Sequence, residues 1–469
     1  MNGSHVSNLL RHDCGLETFD ARVHSTPTVG PDGSATVLLR RHGRFIEAYL
    51  EPALEYRDSL HLAQRLTKES LVRAWGSLAI QNGDAENEVA SRATRIKITK
   101  IRILSVAKED LPDCASLHVA SAKDLPPIES RLNDRLLDGR VAATAAVFRL
   151  FSGVHEISVQ YLAQHDFHHI PTPAFIGYRF PEEDDDYFAL QYFDKTARLA
   201  PTGEIYLGMA LSADLERVYD YHTVFRRESV SDGRHLTEFT MLELVSNIRH
   251  DWTEILELAD NLLVSLIRSL QTQEKYTALI EAAKRLYPAA GTFKLGLNKE
   301  GRLLRLRFDK AKQVLRDPLG FKSNDEDDLT REEEEALGRF FASVDSSLGP
   351  PTDVFIITHF PRHLRPCNVY PSDDGDNTSQ SFDIIMRGQE IVTGCRLLHS
   401  YEDLRSAFIS RPYPIDPDSP EWRPYVRAHE IGMPPWGGFG RESLFSFPEL
   451  FHQLHMRVTR RSYTSTSSP

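Results

Sequence analysis

Cysteine is scarce in this chain: four in 469 residues, Cys14, Cys114, Cys367 and Cys395, with no C-x-x-C pair among them. Such scattered spacing supports neither a zinc site nor a disulfide scaffold. Long apolar runs are missing too. No stretch approaches the length of a membrane span, and the N-terminus shows no apolar signal segment. The expectation is a reduced, cytoplasmic location. Positive charge is in deficit, with 55 Lys and Arg against 67 Asp and Glu and a net charge of −12. No global field draws in a polyanion, so a nucleic-acid partner would need a local basic patch. What is present is an ordinary globular composition, 41% hydrophobic and 26% charged, over a length sufficient for two or three domains.

The chain reads as a series of composition blocks. Residues 1–18 are polar and aperiodic and read as a flexible leader. From 19 to about 112, about five short β-rich runs broken by Pro-Gly and Asp-Gly signals suggest a small barrel of the OB type. A Pro-containing linker is expected over 113–140. From 141 to 460, helical spacing in "VAATAAVFRLFSGVHEISVQYLAQH" and "NIRHDWTEILELADNLLVSLIRSLQ" alternates with strands, first over about 186–245 and again in the last third. That last third ends in an expected helix, and 461–469 reads as a disordered tail. "FKSNDEDDLTREEEE" reads as a solvated insertion leading into an N-capped helix with acidic first-turn residues. The fold class is α+β, with a barrel followed by a domain built on an antiparallel sheet.

The stretch "VFRRESVSDGRHLTEF", residues 224–239, carries the most chemistry. Two halves around "SVSDG" fit a hairpin with Gly233 available for the turn. Arg226 and Glu228 share one face, and Arg234 and His235 return on the other strand. An arginine held in place contacts phosphate bidentately, a carboxylate can bind an adenine amino group or a metal, and Phe239 can stack on a purine. By itself the pattern also fits a charged surface hairpin. "HDFHH" (His165, His168, His169) clusters imidazoles without a further ligand set, so it reads as a turn more than a metal site.

The 224–239 stretch resembles motif 2 of the class II aminoacyl-tRNA synthetases, in particular the archaeal and eukaryotic type of aspartyl-tRNA synthetase, which reads F-R-A-E, a short loop, then R-H-L-T-E-F. Further blocks resemble that family in order and spacing. "LLRRHGRFIEAYL" and "ESLVRAWGSL" are similar to its anticodon-binding OB barrel. "FHHIPTPAF" is similar to motif 1, with Pro173 at the dimer-interface proline, and "PPWGGFGRESL" to motif 3. "FIITHFPRHLRPCNVYP" and "SQSFDIIMRGQEIVTGCRLLH" match the blocks between. The resemblance implies an OB barrel joined to a class II catalytic domain, in a homodimer.

It also implies site residues. Arg226 would hold the α-phosphate of ATP, Glu228 and His235 would flank the nucleotide, and Phe239 would stack on adenine. Glu390 falls on the position that holds Mg²⁺-ATP, with Thr393 in place of an assisting serine. The motif 3 arginine falls on Ser443, and Arg441, two residues earlier, is the candidate substitute. Losing that arginine would lower the rate by roughly 10³-fold.

The amino-acid pocket departs further from the family. Glu204 stands for a glutamine, Leu207 for the lysine that faces the aspartate side chain, and Leu397 for the arginine that pairs with it. Glu243 retains an acid. With Arg396 beside Leu397, and Trp436 entering through a shortened loop, these residues form the expected pocket. It suits an amine or an amino acid with an uncharged side chain, or else one carboxylate is protonated and structural. Anticodon recognition is altered at Thr36 and Glu47, leaving Arg40, Arg41 and Arg44 as a small RNA-facing patch. The expected activity is an ATP-dependent ligase that forms an aminoacyl adenylate and passes it to tRNA or to a small amine or alcohol. The alternatives are an inactive binding protein and an aspartate–tRNA ligase whose substitutions are compensated.

Overall fold

The computed structural model describes residues 11–13, 16–41, 44–78, 94–108, 128–180, 187–227, 236–285, 287–343 and 349–442. Residues 1–10 of the expected leader, Cys14, Cys114, Glu228, His235, Ser443, the expected C-terminal helix and the tail lie outside them. The chain divides into two units, up to Ala146 and from Val147 onward.

The first unit holds β1 (Arg11–Asp13), β2 (Leu16–Val23), β3 (Thr28–Val29), β4 (Ala35–Arg41), β5 (Arg44–Leu50), α1 (Arg57–Ala63), β6 (Leu71–Leu78) and β7 (Thr94–Ser105). Their order is β1-β2-β6-β7-β5-β4-β3, and a further β2–β4 pairing closes the sheet into the expected barrel. Alternation does the work: Ala35, Val37 and Leu39 of β4 and Ile46, Ala48 and Leu50 of β5 all point into one core. Strand structure begins at Arg11 and Leu16, inside the stretch expected to be a leader. The expected linker contains two short helices, α2 (Ile128–Asn133) and α3 (Arg135–Asp138). Arg131 of α2 pairs with Asp138 (2.7 Å).

Arg40 corrects the expected RNA patch. It is 6% exposed, makes a two-bond pair with Glu69 (2.8 and 2.9 Å) and contacts His24. It holds the barrel together. Arg41 stays half-buried at the end of β4. Glu47, expected from the resemblance to face the anticodon, pairs with Arg95 on the neighbouring strand.

A long helix, α4 (Ala142–Gln164), runs across the division between the units. The second unit continues with β8 (His168–His169), β9 (Phe175–Ile176), β10 (Ala189–Tyr192), β11 (Lys195–Leu199), α5 (Glu204–Leu211), β12 (Arg217–Phe225), β13 (Glu238–Asn247), α6 (Thr253–Thr272) and α7 (Glu274–Lys284). Then follow β14 (Leu304–Arg307), α8 (Phe308–Arg316), α9 (Arg331–Ser343), β15 (Val354–Thr358), β16 (Ser381–Met386), β17 (Gln389–Leu397), α10 (Tyr401–Ser410), α11 (Arg423–Glu430) and β18 (Trp436–Glu442).

Eight of these strands form one sheet in the order β14-β15-β16-β17-β18-β13-β12-β8, antiparallel except for the β14–β15 and β12–β8 pairs. β15 and β16 are buried at every position, so both faces of the sheet centre are covered. Helix α5 interrupts the run of strands expected over 186–245. The acidic stretch 321–335 is exposed over 324–328, as a solvated insertion expects, and is anchored on either side. Phe321 and Leu329 lie on a hydrophobic cluster, and buried Lys312 reaches Glu333 (3.1 Å) and the Asp328 carbonyl. Thr330 and Glu333 form the reciprocal cap of α9, as the N-capped reading expects.

Candidate functional site

The sheet centre opens into a cavity of about 530 Å³. Arg226 and Arg227 enter just past the end of β12, β13 brings Met241 and Glu243, β16 brings Ser381, β17 brings Glu390, Val392, Thr393, Gly394, Cys395 and Leu397, and β18 contributes Gly438 and Gly440. Gly438 is required: a Cβ there would lie 2.3 Å from the Leu244 carbonyl. α5 adds Glu204, the segment before β16 adds Arg365, Pro366, Asn368 and Val369, and Phe180 and Tyr187 close one side.

Three arginines, Arg226, Arg227 and Arg365, line the cavity together with Glu390 and Thr393, and Thr393 donates a hydrogen bond to Glu390. Phe239 lies on the same face of β13 as Met241 and Glu243 but does not line the cavity. The Arg226 guanidinium sits 5.4 Å from its ring centre and Phe239 is buried with Val224, Leu236 and Met241. Across from Thr393 on β16 lies Asp383, whose carboxylate pairs with Arg365 at 2.6 Å. Arg365 in turn stacks 3.8 Å over Phe360.

Two acids, Glu204 and Glu243, belong to the same lining. Glu243 accepts from Thr202 Oγ1 (2.5 Å), from the Gly203 backbone N–H (2.5 Å) and from His222 Nε2 (2.6 Å). For His222, burial favours the neutral ring, but the Glu243 hydrogen bond and the charges of Glu243 and Asp220 outweigh it and leave its pKa raised. Glu204 has no such cationic neighbour. Burial, reinforced by the charge of Glu243, pushes its pKa up to about 7 against a smaller opposing effect of the Asn368 amide. Asn368 is itself buried, and its Oδ1 accepts no hydrogen bond. Val369, Leu397 and Cys395 complete the wall.

Several expected pocket residues sit elsewhere. Leu207 is fully buried behind the cavity, in one hydrophobic cluster with Leu397 and Trp436. Trp436 does not enter the site. Its indole packs so closely on α5 that a Cβ on Gly208 would meet it at 2.5 Å, and its N–H reaches the Leu398 carbonyl. Arg396 points to the opposite face, stacked 3.9 Å over Tyr370 and bonded to Gln380. Arg441 lies on β18 in register with Leu242 and Val392. His169 binds Asp220, and among the described residues no group of three or more His, Cys, Asp or Glu could hold a metal ion.

Asp383, Arg365, Asn368, Thr202 and His222 were not singled out as site residues from the sequence. A lone aspartate in the apolar run "SFDIIM" is the one signal among them, because a charge inside a fully buried strand needs a partner.

A family model for class II tRNA synthetases (D, K and N) matches residues 127–442. Cytoplasmic aspartate–tRNA ligase 1 of Arabidopsis thaliana is 28% identical over 454 residues, covering 93% of this chain and 80% of its own. An aspartate–tRNA(Asp/Asn) ligase of Aeropyrum pernix is 27% identical over 405 residues, covering 86% of this chain and 84% of its own. Among solved structures, the aspartyl-tRNA synthetase of Entamoeba histolytica superposes with a TM-score of 0.79 at 22% identity, covering 97% of this chain and 92% of its own. The asparaginyl-tRNA synthetase of Pyrococcus horikoshii, complexed with asparaginyl-adenylate, superposes with a TM-score of 0.76 at 20% identity, covering 94% and 93%.

Proposed function

The chain belongs to the class II tRNA synthetases of the D, K and N group, and from that premise we propose that it activates an amino acid with an uncharged side chain by adenylation. The observation that carries this is the make-up of one cavity, lined by arginines and the Glu390–Thr393 pair together with Glu204, Glu243 and an apolar wall. The arginines suit triphosphate, and the acids suit an ammonium group.

In this reading Arg226 draws charge from the α-phosphate. The substrate carboxylate attacks the α-phosphorus, the bond to the β-phosphate oxygen breaks, and pyrophosphate leaves. Glu228, His235 and Phe239 serve ATP as the family pattern implies, and Arg441 is the candidate substitute for the arginine that the pattern places at Ser443. Use of Phe239 requires Arg226 to move off its ring. Glu390 and Thr393 would hold Mg²⁺ jointly with phosphate oxygens, which fits an ion that rarely takes an all-protein cage. The metal would supply charge neutralisation on the phosphates.

Aspartate is disfavoured. Its side-chain carboxylate would lie against Leu397 with no cation beside it, which costs several kcal/mol. The adenylate then passes to tRNA or to a small amine or alcohol, and the chain works as a cytoplasmic homodimer paired near Pro173. ATP–pyrophosphate exchange across all amino acids tests the reading. Exchange with uncharged side chains and little with aspartate is expected, whereas exchange with aspartate above all others, or with none, overturns it.

A further inference from the structure

A chain of acids and imidazoles leads away from Glu243 in the cavity wall. His222 Nε2 meets Glu243, and its Nδ1 lies 2.8 Å from Thr172 Oγ1 and 3.7 Å from Asp220 Oδ2. Thr172 donates its hydroxyl and its backbone N–H to the same Asp220 oxygen, at 2.6 and 2.7 Å. Asp220 also accepts from His169, half-exposed at the far end, and from the Tyr221 N–H.

Donor counting fixes the state of the ring. The Thr172 hydroxyl has one proton, and at 2.6 Å from a carboxylate oxygen that proton lies toward Asp220. Nδ1 must then donate to Thr172. Nε2 faces a carboxylate and must donate as well. A histidine with two donating nitrogens is an imidazolium. The ring is also locked sterically, because a Cβ on Gly203 would fall 2.8 Å from its Cε1. His222 therefore braces both Glu243 and the turn that starts α5.

Three of the roughly four acceptor positions of Glu243 are occupied by Thr202, Gly203 and His222. Glu204 sits one residue beyond that turn. Its carboxyl faces Glu243, the Asn368 amide, the Cys395 thiol and the phenols of Tyr425 and Tyr178, and among the described residues no arginine or lysine. We infer that His222 is a positioning residue of the amine subsite: as an imidazolium it consumes the charge of Glu243 and leaves Glu204 as the carboxylate that receives a single ammonium group of the ligand. This rests on the amino-acid-activating reading above. Its consequence is a net charge of minus one over Glu243, His222 and Glu204, which suits a monoamine and disfavours a diamine.

The test uses the full-length protein with isotope-labelled histidine and glutamate side chains, followed by NMR against pH. His222, assigned by loss of its signal in H222Q, is expected to be an imidazolium at neutral pH. The Glu204 midpoint is expected to rise by about one pH unit in H222Q, because the charge of Glu243 is then uncompensated. Methylammonium, used as the probe at high millimolar concentration, is expected to shift the Glu204 signal and not that of His222. A neutral His222, an unmoved Glu204 midpoint, or a probe that shifts His222 or neither signal overturns the inference. Should H222Q fail to fold, E243Q supplies the check: its His222 pKa falls if Glu243 holds the proton there, and an unchanged value overturns the assignment. None of these readouts requires turnover, so failure of the adenylation reading and failure of this inference remain distinguishable.

Discussion

Leu397 and Trp436 face each other across the β17–β18 ladder, and only Leu397 reaches the cavity. Trp436 and Leu207 stand behind it in the same cluster. The apolar wall of the cavity is thus a packed layer one residue thick at its surface. Changes in that layer should act very differently by depth. Leu397→Arg can extend its guanidinium into the cavity and is expected to cost about 1–3 kcal/mol of stability while raising aspartate-dependent exchange. Leu207→Lys buries its ammonium in the cluster and is expected to cost about 3 kcal/mol or more without that gain. Chemical denaturation and exchange assays on both variants check this.

The raised pKa of Glu204 makes ligand binding pH-dependent with a definite sign. An ammonium needs the ionised carboxylate, so affinity is expected to fall below about 7, approaching tenfold per pH unit. Calorimetric titration between acidic and mildly basic pH would show that limb. Glu204→Gln should flatten it and weaken binding above the midpoint.

His222 carries a matching signature in stability. Its folded pKa is raised above the ordinary 6.5, so its stabilising contribution is complete below that value and is lost as pH climbs through the raised one. The stability difference between wild type and His222→Gln, measured by urea unfolding, is expected to shrink as pH rises across that window.

Arg365 and Asp383 are 11% and 5% exposed at the side chain and pair at 2.6 Å behind the Glu390–Thr393 edge. Removing one partner strands a buried charge. Arg365→Met is expected to cost about 3–5 kcal/mol, and the double change with Asp383→Asn considerably less. A double-mutant cycle by denaturation measures the difference.

Much of the architecture was legible because it is written in local periodicity. The alternation of β4 and β5, the helical spacing of α4 and α6, and the Thr330–Glu333 cap all follow from neighbouring residues. The motif order then fixed which strands meet at the cavity, and Glu204, Glu243, Arg226, Glu390, Thr393 and Leu397 line it together.

The errors are tertiary. Arg40 reads as an exposed basic residue until Glu69, 29 residues away, folds against it. Arg396 neighbours Leu397 in sequence but points to the other face of β17, as strand alternation requires. Trp436 looked free to enter a shortened loop, and the small side of α5 at Gly208 gave it a buried seat instead. His222 carries no motif signal. Its role comes from Thr172, Asp220 and Glu243 converging on one ring from three segments.

The central claim is that the cavity takes an amine-bearing acid with an uncharged side chain as its adenylate. Its most direct test is the affinity of non-hydrolysable sulfamoyl-adenosine analogues, compared by calorimetry on the same protein. The leucyl analogue is expected to bind about 100-fold more tightly than the aspartyl analogue, the ratio set by one unpaired carboxylate against the Leu397 wall. Equal affinities, or tighter binding of the aspartyl analogue, would contradict the account.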